Sequence, residues 1–390
     1  MQRRDFIIRS GTILTAAAFT GMFGKSNELL APAYNSNENT SSKKRPDPND
    51  FEQPVLKAIA IGINAPSPHN TQSWKFKILS DTSMYLYVNE HILLPATDPP
   101  ARQIHIGAGC FIETLVIGAG TLAYNSMVTY FPEGYESAKD FGMKPVAKIE
   151  LSKASAKADG LSPYINFRQT NRQEYNGPLI SNSEFESLQQ LSGKAHSNLI
   201  FINNNFQPYF NLFKTAFEIE SNTFNTNEET RKLFRFSEQQ RAETGDGLSI
   251  PQMGYHGIMK HLAENSLDNG NKEKWHSPKS IQLSVKHFEK CLLSSKAIVV
   301  WVSNSNTFED WVKTGRDYVR FSLALTKQNF YAHPYNQAIQ EYDEMKTARE
   351  ELNNLLGIKG GEKIQMIVRV GRSSPSYFSY RRKLDTYLVK

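Results

Sequence analysis

A short run of polar side chains among prolines is the first part of the chain whose residue types could do chemistry. Residues 65–77 read APSPHNTQSWKFK, and the two prolines, Pro66 and Pro68, restrict the backbone and remove two amide donors. The hydrogen-bonding side chains that follow predict a binding loop between a helix and a strand; they are Ser67, His69, Asn70, Thr71 and Gln72. The alternative from this pattern alone is a helix–strand turn rich in turn-forming residues.

A pair of arginines four residues apart is the second candidate. The segment 168–172, RQTNR, follows the pattern R-x-[ST]-x-R, and we predict it near the start of a helix, where Arg168 and Arg172 would share one face. Two guanidinium groups and the hydroxyl of Thr170 suit a phosphate, because guanidinium groups make charge-assisted and bidentate hydrogen bonds. The alternative is a solvated basic helix end paired with Glu174.

These two segments resemble motifs of the nitroreductase family. The pattern P-S-x-x-N-x-Q-x-W is similar to the flavin-contacting loop of that family, except that Ser73 stands where proline is usual; the matching residues are Pro66, Ser67, Asn70, Gln72 and Trp74. The pattern R-x-[ST]-x-R is similar to the segment that binds the phosphate of FMN in that family. The resemblance therefore implies FMN as the cofactor.

The two motifs lie in different parts of the chain. In nitroreductase dimers each flavin lies at the interface, with phosphate ligands from one subunit and the proline–serine loop from the other. Here the first part has only the loop and the second part has only the arginines, which resembles the Acg-type FMN-binding oxidoreductases. The resemblance covers roughly residues 51–390 and implies two tandem nitroreductase-like copies, an intrachain pseudo-dimer with one complete site.

Two later segments extend the implied cofactor site. In relatives, a segment like 333–337 runs past the flavin, so the backbone amides of Asn336 and Gln337 are candidates for an approach to N5. A basic residue after the last strand completes the phosphate site, and Arg381 or Arg382 fits best; the alternative is a basic tail without a ligand. The whole set of expected FMN-binding residues is Pro66, Ser67, His69, Asn70, Gln72, Arg168, Thr170, Asn171, Arg172, His333, Pro334, Asn336, Gln337, Arg381 and Arg382.

The expected chemistry is hydride or electron transfer through flavin N5 to a nitro compound, a quinone or a similar small-molecule acceptor. We expect no catalytic side chain, since FMN carries the redox chemistry; His69 is the nearest titratable group, either a donor and proton relay or a structural hydrogen bond. One alternative is a non-catalytic protein that sequesters or stores FMN, and another is an interaction scaffold without flavin. Glycines in 245–257 suggest a mobile lid, with an ordinary surface loop as the alternative.

The N-terminus predicts export. Residues 3–8, RRDFII, resemble a twin-arginine signal, and an uncharged run over 10–24 is too short to span a bilayer. Residues 31–33, APA, offer a cleavage site, and no cysteine closely follows to carry a lipid anchor. We therefore expect a signal peptide over 1–33, a polar linker over 34–50, a periplasmic or otherwise exported protein, and the twin-arginine translocase as a partner during export. The alternative is an amphipathic N-terminal helix.

Composition excludes several other classes. The net charge of +6 would become +4 without residues 1–33, and no basic stripe indicates nucleic acid binding. The only two cysteines, Cys110 and Cys291, show no metal-ligand spacing. We expect Cys110 to be buried, and nothing in the sequence decides whether the two form a disulfide. A monomer or a weak oligomer without a stable membrane anchor is expected.

The resemblance implies a nitroreductase-like α+β fold in which a mixed sheet is flanked by helices, with a first half over 51–160 and a second half over 161–390, and apolar periodicity predicts the individual elements. The alternating stretches predict strands, the apolar stretch 104–124 predicts a buried central helix, and 314–329 has helical spacing. The clearest predicted strands are Trp74–Leu79, Met84–Val88, Ala297–Val302 and Ile364–Val370.

Overall fold

The first four strands form where side chains alternate between core and solvent. In the computed structural model, which describes residues 45–155 and 158–389, Met84, Leu86 and Val88 of the second strand are all fully buried. The pairing is antiparallel throughout, in the order β1-β2-β4-β3. The elements of this part are α1 (Pro54–Gly62), β1 (Trp74–Ser80), β2 (Ser83–Val88), α2 (Arg102–Thr121), β3 (Tyr124–Tyr130) and β4 (Ala147–Lys153).

The second part of the chain builds another antiparallel sheet and more helices. The elements before its central strand are α3 (Asn182–Ser192), β5 (Asn198–Ile202), α4 (Gln207–Asn222), α5 (Phe224–Lys232), α6 (Glu238–Thr244), α7 (Gly257–Ser266), α8 (Lys272–Trp275) and α9 (Pro278–Leu293). Those that follow are β6 (Ala297–Ser303), α10 (Phe308–Lys327), β7 (Tyr331–Pro334), α11 (Lys346–Leu356) and β8 (Lys363–Gly371). The sheet order is β5-β6-β8-β7.

The two sheets have the same connectivity. In each, the second strand leads through a 20-residue helix, α2 or α10, into an edge strand that pairs with the last strand. Parallel bridges from distant segments extend both sheets, since Phe76 pairs with Leu388 and Thr170 pairs with Ala332. The predicted α+β class, with sheets flanked by helices, is confirmed; the strands pair antiparallel, and parallel pairing within the described residues is limited to isolated bridges.

Helices α2 and α10 pack directly against each other through small residues. A Cβ atom added at Gly109 would overlap the carbonyl oxygen of Val312, and one added at Gly315 would overlap that of Ile106. The backbones therefore approach too closely for any other residue at these two positions. Within the described residues, only α2 is long and apolar enough to cross a membrane, and 83% of its apolar window is buried inside the protein. The prediction of a buried central helix is confirmed.

A separate small core holds together the segment that we call the cap, residues 234–275. Its centre consists of Phe234, Phe236, Leu248 and Ile250, and Trp275 packs against them. Gly245 and Gly254 each end a helical turn with a positive φ. The predicted lid region, 245–257, is therefore part of a segment that folds around its own apolar cluster, and the cap also includes α6, α7 and α8.

The predicted signal peptide and most of the predicted linker, residues 1–44, lie outside the described residues. The last residues of the predicted linker pack against the protein, whereas a solvated linker was expected. Arg45 is 8% exposed and its Nη1 donates to Asn64 Oδ1 at 2.9 Å. Residues Pro48–Asp50 form a 3₁₀ turn capped by the side chain of Asp47. Packing against α1 thus begins at Arg45.

Candidate functional site

A cavity of about 550 Å³ is lined by both parts of the chain and by the cap. Its volume falls within the usual range for ligand pockets. Nine of the residues expected to bind FMN line it: Pro66, Ser67, His69, Thr170, Arg172, His333, Pro334, Asn336 and Gln337. The other six lie behind its wall: Asn70, Gln72, Arg168, Asn171, Arg381 and Arg382.

The proline–serine loop, residues 65–73, has a strained backbone. His69, Asn70 and Gln72 have φ values of 48°, 55° and 51°, in the left-handed region that non-glycine residues rarely adopt. The side chain of Ser67 stabilises this shape by accepting a hydrogen bond from the Gln72 amide at 2.8 Å. Ser67 and His69 line the cavity, whereas Asn70 and Gln72 do not.

Asn70 and Gln72 connect the loop to the cap instead of lining the cavity. Asn70 Nδ2 donates to the carbonyl of Gly247 at 3.3 Å, and Gln72 Nε2 donates to that of Gly245 at 2.9 Å. Both side chains are buried, with exposed fractions of 9% and 0%. Their role in the described structure is to fasten the first glycines of the predicted lid.

Arg381 and Arg382 fasten the same loop from the C-terminal segment. Arg381 Nε donates to the carbonyl of Ile63 at 2.7 Å, which satisfies an orphan carbonyl at the end of α1, and its Nη1 donates to Asn70 Oδ1 at 3.0 Å. Arg382 Nη1 donates to the Thr71 carbonyl at 2.6 Å and its Nη2 pairs with Asp246. Both guanidinium groups thus bind partners within the protein, and neither arginine lines the cavity.

The arginine segment, residues 168–172, is extended and not helical. Thr170 forms a parallel bridge with Ala332, and the amide of Asn171 donates to the Ala332 carbonyl at 3.1 Å. The even spacing still puts Arg168 and Arg172 on one side, because side chains alternate along an extended chain. Asn171 points elsewhere, and its Nδ2 donates to the carbonyl of Ser374 at 2.8 Å.

Arg168 and Arg172 are cations without an acidic partner. Arg168 is 4% exposed and its Nη1 has no hydrogen-bond partner, and neither arginine forms an ion pair within the described ranges 45–155 and 158–389. Burial lowers the pKa of both guanidinium groups, that of Arg172 to about 10. An uncompensated buried charge is unfavourable, so an anion at this end of the cavity would relieve the cost.

Two of the three histidines that line the cavity, His69 and His333, are held neutral. Burial, with a smaller contribution from Arg172, lowers the pKa of His69 to about 4. Burial and Arg369 hold the pKa of His333 well below its ordinary value. Arg369 Nε donates to His333 Nδ1 at 3.3 Å, while its Nη1 and Nη2 donate to two backbone carbonyls. The positive charge in the part of the cavity near Arg172 therefore comes from arginines, and these two histidines provide neutral hydrogen-bonding groups.

The segment after β7 borders the cavity beside α2. Asn336 Nδ2 donates to Gln103 Oε1 at 2.8 Å, and its Oδ1 accepts from the Ile367 amide at 2.9 Å. Its neighbour Gln337 lies in the same wall. Gln103 of α2 is a cavity residue that sequence reasoning missed, because no motif surrounds it.

Several other lining residues were also missed. Both cysteines, Cys110 and Cys291, are buried free thiols that line this cavity, so the predicted burial of Cys110 is confirmed and the open question of a disulfide is answered by two free thiols. Glu220 of α4 and His287 of α9 come from the long insertion between β5 and β6. The insertion's length is the signal that could have indicated them. No group of metal ligands occurs among the described residues.

Comparison with known proteins finds similarity over part of the chain. No family model matches. A Mycobacterium tuberculosis protein with the name "Putative NAD(P)H nitroreductase" is 27% identical over 123 residues, which cover 31% of this chain and 34% of that protein. A second protein of that organism, named as uncharacterised, is 34% identical over 79 residues, which cover 20% of this chain and 23% of that protein. The chain thus matches about a third or less of the length of these curated relatives.

Solved structures show a partial likeness. The crystal structure of a nitroreductase-like family protein from Bacillus cereus has 13% identity and a TM-score of 0.32, covering 59% of this chain and 94% of that one. The FMN-dependent nitroreductase NfnB from Mycobacterium smegmatis, solved in complex with NADPH, has 13% identity and a TM-score of 0.31. The match covers 54% of this chain and 86% of that one.

Proposed function

We propose that this chain is an exported FMN-binding oxidoreductase of the nitroreductase type that reduces a nitro compound, a quinone or a similar acceptor. The observation that carries the proposal is the pair of Arg168, which is buried, and Arg172, which is half-buried in the cavity wall; no carboxylate compensates either of them in the described structure. The proline–serine loop from the first half lies on the wall of the same cavity. The name of the Mycobacterium tuberculosis relative supports the same type of activity.

The residues present fit FMN in an order along the cavity. Arg172 and Thr170 would hold the phosphate, and Arg168 adds positive charge from behind the wall. Ser67 and the segment 333–337 would border the ring, and the cap restricts access of water. When bound, FMN supplies hydride transfer through N5. Neutral His69 can donate or accept one hydrogen bond without adding charge.

We also propose that the chain is an intrachain pseudo-dimer of two nitroreductase-like halves, 51–160 and 161–390, which is a monomer or a weak oligomer in solution. The equal strand orders of the two sheets support it. So does the reciprocal contact of α2 and α10, in which Gly109 meets Val312 and Gly315 meets Ile106. Such reciprocity is what a two-fold interface requires.

A single flavin per chain is the expected result of this arrangement, since each half has only one of the two motifs. Purified protein should show the visible absorbance of FMN at one flavin per polypeptide after denaturation and quantification. Two flavins per chain would contradict the composite site, and protein that binds no added FMN would contradict the proposed function.

Turnover separates the oxidoreductase from a flavin store. Anaerobic titration with NAD(P)H, and with dithionite as the control that reduces any accessible flavin, should bleach the flavin, and a nitro compound or a quinone should restore its colour. Flavin reduced by dithionite but unaffected by every acceptor offered would favour the sequestering protein instead.

Export is proposed from residues that lie outside the described structure. Replacement of Arg3 and Arg4 by lysine should trap the precursor in the cytoplasm, because the twin-arginine translocase recognises the guanidinium pair. Cell fractionation and the size of the processed chain measure the result. As a matched control, replacement of Arg9 by lysine should leave export unchanged. Normal export of the double variant would refute this route.

A further inference from the structure

Glu220 lines the cavity as a buried acid without a cation. It lies on α4 between the lining residues Phe217 and Ser221, and its exposed fraction is 8%. Its Oε2 accepts a hydrogen bond from Gln340 Nε2 at 2.7 Å. Gln337, in the segment expected to border the flavin, lies against the same carboxyl group. The protein thus surrounds this carboxyl with neutral amides.

The other buried acids of the described chain are compensated. Glu113 pairs with Arg316 and Arg320, Glu228 pairs with Arg231 and His276, and two others accept from backbone amides at helix starts, namely Asp98 from Ile104 in α2 and Asp310 from Thr307 before α10. Glu220 forms no ion pair within 45–155 and 158–389 and caps no helix. An unpaired buried carboxylate is costly, so this exception indicates a partner from outside the protein.

The groups that face Glu220 do not include a positive charge. Glu229 of α5 is the charged neighbour that acts on it, and Tyr342 lies beside it. Burial raises the pKa of Glu220 to about 7, against the hydrogen bonds from Gln340 and Gln337 that lower it. The carboxyl therefore ionises near neutral pH and gains from a cation placed next to it.

The rest of the cavity lining under the cap combines apolar residues with uncharged polar side chains such as Asn227, Thr230 and Ser284. Its aromatic and aliphatic lining includes Phe217, Phe234, Trp275, Ile281 and Phe288. The cationic end of the cavity, at Arg172, carries the opposite charge to Glu220. A ligand that satisfies the cap side must therefore combine an apolar body with a positively charged group.

We propose that the cap side of the cavity is a subsite for an aromatic or similarly apolar molecule whose protonated amine pairs with the carboxylate of Glu220. This inference rests on the proposed function, because the molecule would be the acceptor that lies beside the flavin. It narrows the acceptor class to organic cations and disfavours anionic acceptors, which Glu220 would repel.

Three probes of nearly equal shape test the subsite by binding alone. 4-Nitrobenzylamine, 4-nitrobenzyl alcohol and 4-nitrobenzoate are titrated into oxidised FMN-loaded protein, and dissociation constants are measured from the flavin absorbance and by calorimetry. The amine should bind about tenfold tighter than the alcohol, as expected for one charge-assisted hydrogen bond, and the benzoate should bind most weakly. Equal binding of amine and alcohol by the wild-type protein would overturn the proposal.

A pair of variants on one helix assigns the preference to Glu220. Glu220→Gln should lose the discrimination between amine and alcohol, whereas Glu218→Gln, also on α4 but not lining the cavity, should retain it. Retained discrimination in Glu220→Gln would refute the assignment. Should Glu220→Gln fail to fold, equal binding of amine and alcohol by the wild-type protein would still overturn the proposal, because that comparison needs no variant.

The pH dependence of amine binding provides an independent test of the proposal. Between pH 6 and pH 8 the affinity of the wild-type protein for the amine should rise, because Glu220 becomes ionised while the amine stays protonated. The affinity for the alcohol, and that of Glu220→Gln for the amine, should stay constant. A flat or falling amine affinity in wild type would contradict the proposal.

Failure of the proposed function would be seen separately, as protein that cannot be loaded with FMN before any probe is added.

Discussion

Replacement of Arg172 by alanine should weaken FMN binding about tenfold or more. The variant loses a charge-assisted hydrogen bond to the phosphate, worth about 1.5–3 kcal/mol. Arg168→Ala should act in the same direction through the loss of a nearby buried charge. Riboflavin has no phosphate and should bind wild type and both variants equally. Flavin fluorescence during titration measures all of these affinities.

Two controls make this result specific. Asn70→Ala should weaken FMN and riboflavin together, because Asn70 fastens the proline–serine loop to the cap through Gly247 and does not reach the cavity. Lys194→Ala removes an exposed positive charge and should change neither affinity. Equal FMN affinity in wild type and the two arginine variants, in folded protein, would show that Arg168 and Arg172 do not hold the phosphate.

Gly109→Ala should destabilise the whole fold by about 1–3 kcal/mol, the usual cost of overpacking a core. The added methyl group would collide with the carbonyl of Val312 where α2 meets α10. Helix propensity alone would favour alanine over glycine by about 1 kcal/mol. Urea and thermal unfolding measure the difference, and a stabilised Gly109→Ala protein would show that the two helices do not pack this closely.

Gly120→Ala is the matched control for that prediction. It lies on the same helix, and the nearest heavy atom to its added methyl group is 3.8 Å away, the Cα of Ala158. Propensity should therefore decide the outcome, with stabilisation of up to about 1 kcal/mol. Opposite signs of the change in unfolding free energy for the two variants would separate the effect of the helix contact from that of helix propensity.

Strong local patterns predicted the elements well. The predicted strand Trp74–Leu79 appears as Trp74–Ser80, and Ala297–Val302 appears as Ala297–Ser303, because alternating or continuous apolar runs fix both type and face. The buried helix predicted over 104–124 appears as Arg102–Thr121. These features depend on residues close in sequence.

Features that depend on distant residues could not be predicted. The arginine segment has a helical spacing, yet Thr170 pairs with Ala332, which tertiary contact alone decides. Asn70 and Arg381 were expected at the cofactor. Asn70 instead lies in the left-handed part of the loop and does not line the cavity, and Arg381 donates a hydrogen bond to its side chain. Glu220 has no motif around it, and only the cavity shows that its carboxyl lacks a cation.

The closure of the C-terminal segment onto the first strand sets the order in which the site can be assembled. Leu388 pairs with Phe76, and Arg381 holds Asn70, across more than 300 positions of chain. Contacts of such sequence separation form slowly and late in folding, since the chain entropy of closing the loop must be lost first. A nascent chain on the ribosome cannot fix the proline–serine loop before residues 381–388 have emerged. Loading of the proposed cofactor would therefore wait until residues 381–388 have been synthesised, and a truncation before Arg381 should leave a protein whose first half folds without a fixed binding loop.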